Sequence, residues 1–302
     1  MTSPTATITE LLADTRFRRL WDLLESLESA AVAYSGGVDS TFLLRVAHEA
    51  LGDRAQGVLA VSESLDRNEF EHARALADRL GIPIRIVETH EYDNPLYRRN
   101  DSQRCYHCKS ELFDVVADYA RREGLAWVLD GSHAGDIGDY RPGARARVER
   151  GVRSPLLEAG LGKEDIRELS RRLGLPTWDK PAAPCLASRI PYGTEVTDER
   201  LRAIEAAEKS LRDLGFETVR VRHHGEIARI EVPVDRLPEI LDSAMRDAIV
   251  RGVRAAGFAF VTIDLEGFRS GSLNRALLRH AVEPAGTLVH LDAPRRREER
   301  PR

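Results

Sequence analysis

The chain predicts an α/β protein, a doubly wound parallel sheet followed by a smaller α+β domain. Three observations predict it. Over the first half, short apolar runs of strand length alternate with single amphipathic segments; a glycine-rich turn follows the first run; and past about residue 190 the order becomes helix, hairpin, helix, strand. Strands separated by single helices pair in parallel through right-handed crossovers, and ligands in such sheets bind at the carboxyl ends of the strands.

Each element follows from its spacing. Residues 17–29 place Leu20, Leu23, Leu24 and Leu27 on one stripe, which predicts a helix. AAVAYS is an apolar run that breaks at Gly36–Gly37, and Asp39–Gly52 then carries Phe42, Leu43, Val46 and Ala47 at helical spacing. GVLAVS (57–62) reads as a strand, Asn68–Leu80 as a helix ended by Gly81, and PIRIVET (83–89) as the next strand. A helix at Glu111–Glu123 precedes the strand WVLDGS (127–132), and Lys163–Leu173 reads as another helix. The stretch 176–193 is rich in proline and predicts a shaped loop or a junction. Beyond it come a helix at Asp198–Leu214, a hairpin from TVRVRHHG and ARIEVP, a helix at Leu237–Ala256 and a strand at 258–265. The expected organisation is 1–185 as the nucleotide domain, 186–284 as a substrate or oligomerisation domain, and 285–302 as a disordered, charged tail.

The 302 residues include 45 Lys and Arg against 49 Asp and Glu, a formal net charge of −4. That balance leaves no basic footprint for nucleic acid and favours a small-molecule substrate. No apolar run reaches the roughly 18 residues of a membrane span, and the N-terminus lacks a secretory pattern. Three cysteines do not make a disulfide framework, so the expectation is a cytoplasmic chain with reactive or metal-binding thiols.

AYSGGVDS (33–40) carries the strongest chemistry. Gly36 and Gly37 let backbone approach an anion, the helix start favours negative charge, and Ser35 and Ser40 add hydroxyl donors. Asp39 cannot bind phosphate; it would either cap the helix or reach a Mg²⁺ ion. The ending differs from a Walker A loop, and an ordinary strand-to-helix turn is the plainer alternative. The full string SGGVDS resembles the PP-loop of the ATP-pyrophosphatases. That resemblance implies ATP cleaved between its α- and β-phosphates, pyrophosphate held by Ser35, Gly36, Gly37, Asp39 and Ser40, and AMP transferred to the substrate. DGSHAGD (130–136) then supplies Gly131 and Ser132 to the nucleotide and Asp136 to Mg²⁺, unless it is a plain acidic loop. Adenine recognition is expected from the backbone near Val61 and Ser62.

Cys105 and Cys108 form a CxxC, and Cys185 lies in PAAPCLASRIPYG. One CxxC is short of the four ligands of structural zinc, a redox pair leaves Cys185 unexplained, and buried structural thiols remain an alternative. RCYxCK, PCLxSRxPYGTxVT and FRSGSLN together resemble the LarE-type sulfur transferases of nickel-pincer nucleotide biosynthesis, over about residues 17–280. The resemblance implies Cys185 as the sulfur-bearing residue, sacrificed in some members. In others Cys105, Cys108 and Cys185 hold a [4Fe–4S] cluster, the version favoured here. It also implies a phosphorylated pyridinium substrate, companion enzymes of the same pathway and a homo-oligomer.

Lys109 would face a nucleotide phosphate or solvent. Ser188 and Arg189 fit a phosphate or adenylate contact. Arg220 and Arg222 alternate on one strand face; with Glu208, Arg229 and Glu231 they would line an anion pocket or form a solvated ion-paired sheet face. A tRNA thiolation enzyme shares the phosphate loop but usually carries a basic RNA-binding module. A regulatory ATP-binding module leaves the cysteines unexplained.

Overall fold

A computed structural model of the chain describes residues 6–136 and 142–269. The expected tail and most of the FRSGSLN motif lie outside the described residues. Helices α1 (Ile8–Leu11) and α2 (Thr15–Glu25) lead into β1 (Ala30–Tyr34). Then come α3 (Val38–Leu51), β2 (Ala55–Val61), α4 (Arg67–Leu80), β3 (Ile84–Glu88), α5 (Pro95–Arg98), α6 (Arg104–Arg122) and β4 (Trp127–Leu129). Helices α7 (Pro142–Glu149), α8 (Pro155–Glu158) and α9 (Lys163–Arg172) complete the first half.

The strands pair in parallel in the order β3–β2–β1–β4, as the alternation of strands and helices predicts. Side chains alternate across the sheet, so Ala30, Val32 and Tyr34 of β1 join one core with α2, α3 and α9. Ala31 faces the opposite way and packs with Val116, Tyr119 and Ala120 of α6. Helices on both faces bury the central strand and leave its carboxyl end as the place where loops gather.

The second half is built on α10 (Asp198–Asp213), β5 (Arg220–His224), β6 (Ile227–Glu231), α11 (Leu237–Leu241), α12 (Ser243–Ala255) and β7 (Phe260–Ile263). β5 and β6 form the expected antiparallel hairpin, and β7 joins β6 in parallel. Leu201, Ile204 and Leu211 of α10 and Val253 of α12 cover this sheet in a second core. Tyr97, from α5, is buried in the same core, so the two halves interlock.

Two expectations need correction. The helix predicted from Glu111 starts at Arg104, because the Asp101 carbonyl accepts the Arg104 N–H at 3.1 Å and its carboxylate accepts the Gln103 N–H at 2.8 Å. Cys105 and Cys108 therefore lie in the first turns of α6 and not ahead of a helix. The helix predicted over Leu237–Ala256 is broken at Asp242, whose side chain accepts the N–H groups of Ala244 and Met245 and caps α12. Periodicity continues through that break, which is why spacing alone did not show it.

Candidate active site

At the end of β1 the chain turns through Ser35, Gly36 and Gly37 into α3. Gly36 has φ of +67°, and a Cβ there would lie 2.6 Å from the Cβ of Ala73 on α4. Both conformation and close approach demand glycine. Gly37 is the N-cap of α3 and offers no side-chain acceptor to the amides that follow. The Ser35 N–H donates to Ser40 Oγ at 3.1 Å, and the two hydroxyls lie 3.0 Å apart, so the turn is drawn into a cup.

Asp39 does not cap the helix. Both of its carboxylate oxygens accept from Lys163 Nζ, each at 2.7 Å. Lys180, from the Pro-rich stretch, donates to the Gly36 carbonyl at 3.2 Å and to Glu69 Oε2 at 2.7 Å. Neither lysine carries a local motif, so neither was visible in the sequence.

Two cavities open on this turn. The larger, about 710 Å³, runs over the carboxyl end of the first sheet toward Lys109, Phe113 and the 130–136 segment. Gly131 backs directly onto the turn, since a Cβ there would come within 3.1 Å of the Ser40 nitrogen. Ser132 Oγ donates to Asp130 at 2.7 Å, and the Ser154 hydroxyl bonds the same carboxylate. Asp136 lines this cavity too, accepting the His133 N–H at 3.1 Å and lying 3.3 Å from His133 Nε2. Lys109 stands over the Phe113 ring at 5.4 Å, and the start of α7 closes against it, a Cβ on Gly143 falling 2.9 Å from Lys109 Cγ.

The second cavity, about 620 Å³, lies between the turn and the second sheet. Its wall carries Arg104, Lys163, Lys180, Arg220 and Arg222 against Asp39 and Glu69, and Ser188 also faces it. Arg220 and Arg222 thus share one face, as alternation predicts. Arg222 is held by Glu231 at 2.7 Å. Arg220 donates to the carbonyls of Val219 and Ala182, and burial, with Arg189 nearby, pulls its pKa down to about 10. Among the described residues no carboxylate lies at bonding distance of Arg220, and a buried cation so placed suits an anionic ligand. Ser35, Gly37, Asp39 and Leu65 line both cavities, so the phosphate loop is their common wall.

The cysteines stand at the same junction. Cys105 lines the larger cavity, and Pro184 and Ser188, flanking Cys185, line the smaller. Cys108 and Cys185 both pack against the second core. Burial pushes the Cys108 thiol well up, with the charges of Glu91, Cys185 and Cys105 adding to it. Arg104 is 5% exposed and, among the described residues, bonds no carboxylate: it donates to Asn100 Oδ1 at 2.6 Å and the Ala187 carbonyl at 2.8 Å, and approaches Cys105 Sγ at 4.0 Å. Burial opposes its charge, yet Cys185 and Cys105 hold its pKa above the ordinary value. Asn100, at φ 55°, donates to the carbonyls of Ile190, Pro191 and Thr194 and clamps the segment after Cys185. All three thiols are free. Among the described residues no three His, Cys, Asp or Glu side chains converge as ready-made ligands of a metal ion, and no helix is long and apolar enough to cross a membrane.

Several expected contacts lie elsewhere. Ser62 is outside the cavity wall, which is formed by Leu59, Ala60 and Leu65; its hydroxyl turns to Ser64 Oγ at 3.1 Å, and the Val61 carbonyl accepts the Thr89 N–H at 2.9 Å. Glu208 is fully buried and accepts two bonds from Arg189, at 2.9 and 3.0 Å, and one each from Arg212 and the Val221 N–H. Arg189 also donates to the carbonyls of Pro184 and Cys185, so the pair shapes the Cys185 loop from behind. Arg229 turns away to Asp264 and Glu231.

The NAD synthase family model matches residues 24–115, the span that holds the phosphate loop and the first three strands. An uncharacterized protein of Synechocystis sp. is 44% identical over 89% of this chain and 100% of its own length. Pyridinium-3,5-bisthiocarboxylic acid mononucleotide synthase of Lactiplantibacillus plantarum is 42% identical over 85% of this chain and 92% of its own. A glutamine-hydrolyzing GMP synthase of Aeropyrum pernix is 27% identical over 64% of this chain but only 42% of its own length, a likeness limited to part of that protein. With the glycine-rich turn, the parallel sheet and a named synthase 42% identical over most of both chains, the chain belongs to the pyridinium-3,5-bisthiocarboxylic acid mononucleotide synthase family, the LarE-type ATP-dependent sulfur transferases of the PP-loop superfamily.

Proposed function

We propose that this enzyme adenylates a carboxylate of a pyridinium mononucleotide and replaces the activated oxygen with sulfur, leaving a thiocarboxylate. The observation that carries the reading is the shared wall: two cavities meet at Ser35, Gly37 and Asp39, with cysteine-bearing segments at their junction. ATP in the larger cavity sets its phosphates on the turn and the start of α3, with Lys109, Gly131 and Ser132 on the facing wall. The substrate in the smaller cavity meets Arg220, Arg222 and Ser188, a set suited to a phosphate and carboxylates. Its carboxylate oxygen attacks the α-phosphorus, and the bond to the β-phosphate oxygen breaks to release pyrophosphate. A carboxylate is a poor electrophile, and the adenylate supplies AMP as a leaving group. The protein's contribution is to align the reactants and stabilise the charge that develops.

Asp39 and Asp136 line the same cavity and fit a Mg²⁺ ion, which would neutralise phosphate charge when bound. Cys105, Cys108 and Cys185 fit a [4Fe–4S] cluster in donor chemistry, with buried Arg104 offsetting its negative charge; such a cluster would present an extra sulfide. If Cys185 itself is the donor, its sulfur attacks the acyl-adenylate and expels AMP. Loss of the Cα proton and cleavage of the Cβ–S bond then leave the thiocarboxylate and dehydroalanine. In this proposal residues 1–185 carry out adenylation and 186–284 hold substrate, in a cytoplasmic homo-oligomer that works with other enzymes of the nickel-pincer pathway.

The test is pyrophosphate release. It should require both ATP and a pyridinium carboxylate mononucleotide, and Asp39→Ala should lower it at least about a hundredfold. Release at the wild-type rate in that variant, or release driven by tRNA in place of the mononucleotide, would contradict the assignment.

A further inference from the structure

Resting on that reading, we propose that Arg147 and Ser154 are positioning residues that make the Asp130–Ser132 corner of the larger cavity an acceptor for a ribose hydroxyl of ATP. The four side chains form one run of hydrogen bonds. Arg147, on α7, donates from Nη1 to Ser154 Oγ at 2.6 Å. Ser154, 1% exposed, donates to the Asp130 carboxylate. That carboxylate also accepts the Ser132 hydroxyl at 2.7 Å and the Ser132 N–H at 3.3 Å. Asp130, Ser132 and Arg147 all line the larger cavity.

Chemistry fixes the direction of each bond. A guanidinium only donates, so the Ser154 oxygen accepts from Arg147 and spends its single proton on Asp130. Ser132 spends its own proton on the same carboxylate. The corner therefore shows the cavity acceptors alone: the lone pairs of Ser132 Oγ, and the one of Asp130's roughly four lone-pair sites that its bonds leave open. Such a corner repels phosphate oxygens, and in ATP only the ribose hydroxyls and the adenine amine donate. Gly131, between the two residues, backs onto the phosphate turn, where a Cβ would stand 3.1 Å from the Ser40 nitrogen. The sugar adjoins the α-phosphate and the amine is at the far end of the base, so the ribose is the donor that belongs beside the turn. The corner is also held from behind. The Asp130 N–H donates to the Arg153 carbonyl at 2.9 Å, and the Ser154 N–H donates to Glu158 at 3.1 Å. Through one hydroxyl the Arg147 charge keeps Asp130 an acceptor while the triphosphate brings more negative charge into the cavity.

The experiment uses the full chain with Arg147→Met, Arg147→Lys and Ser154→Ala. Calorimetry in the presence of Mg²⁺ measures the binding of ATP, 2′-deoxy-ATP, 3′-deoxy-ATP and pyrophosphate. Wild-type protein should bind at least one of the deoxy analogues about tenfold more weakly than ATP. Arg147→Met and Ser154→Ala should weaken ATP several-fold and leave that analogue as it was, so the preference shrinks. Arg147→Lys keeps a donor for Ser154 and should retain most of the preference. Pyrophosphate should bind every variant as it binds wild type, which neither a misfolded chain nor an arginine in contact with phosphate would allow. This proposal is overturned, and the function stands, if wild-type protein binds both analogues as tightly as ATP. The same holds if Arg147→Met keeps the full preference, or loses pyrophosphate affinity as much as ATP affinity. Wild-type protein that binds neither ATP nor pyrophosphate overturns both.

Discussion

Arg189 and Arg220 look alike in the sequence and do different work. Arg189 turns its donors into the protein, on Glu208 and on the carbonyls of Pro184 and Cys185, whereas Arg220 faces a cavity with, among the described residues, no carboxylate at bonding distance. The cysteines admit the same kind of distinction by experiment. If the three thiols hold a cluster, anaerobic reconstitution should load about four irons per chain, and Cys105→Ala, Cys108→Ala or Cys185→Ala should each lower that content. If Cys185 is sacrificed, wild-type protein after one turnover should lose the mass of H₂S at Cys185 with no iron bound. Residues whose partners are local were legible in advance: Ser35, Gly36, Gly37 and Ser40 belong to one turn. Lys163, Lys180, Arg104 and Asn100 were not, because each acts on a residue or segment brought near only by folding; Lys163, for instance, meets Asp39 across 124 positions.

Elements were readable where one face is apolar and an end is marked. α4 ends at Gly81 in the left-handed region, as its sequence predicts, and β1, β2 and β3 fall within a residue or two of expectation. α7 gave no such signal, since PGARARVE has no apolar stripe, and yet its first turn closes the larger cavity. Helix α2 shows how charge fastens an element. Its N-cap Asp14 accepts from Arg16 and Arg172, and the Arg16 hydrogen bonds hold its carboxyl well below the ordinary value of 3.8. A carboxyl with a lowered folded-state pKa contributes stability that is complete above the unfolded value and is lost as pH falls through the folded one. Denaturant titrations should therefore show wild-type protein losing stability as pH falls below about 4, and Asp14→Asn, already weaker at pH 7, losing less over that window. Equal acid sensitivity in the two proteins would contradict this.

At the scale of the whole molecule, the function depends on two sheets meeting at one turn. In the proposed reading the first presents its strand ends to the nucleotide and the second presents Arg220 and Arg222 to the anionic substrate, with the Pro-rich segment carrying Cys185 running between them. The ties are specific. The Leu186 N–H donates to the Ser64 carbonyl at 2.9 Å, the Gly193 N–H to Asn100, and the Val196 N–H to Arg98. This convergence was foreseeable as a topology, because ligands gather at strand ends, but the two separate cavities and their common wall appear only once the chain is folded. Purified protein given ATP, Mg²⁺ and the pyridinium carboxylate mononucleotide offers the most direct test, with the product weighed by mass spectrometry. The account predicts a product heavier by the difference between sulfur and oxygen, formed with one AMP and one pyrophosphate for each sulfur inserted. A product that gains no sulfur while ATP is still cleaved to AMP and pyrophosphate would contradict it.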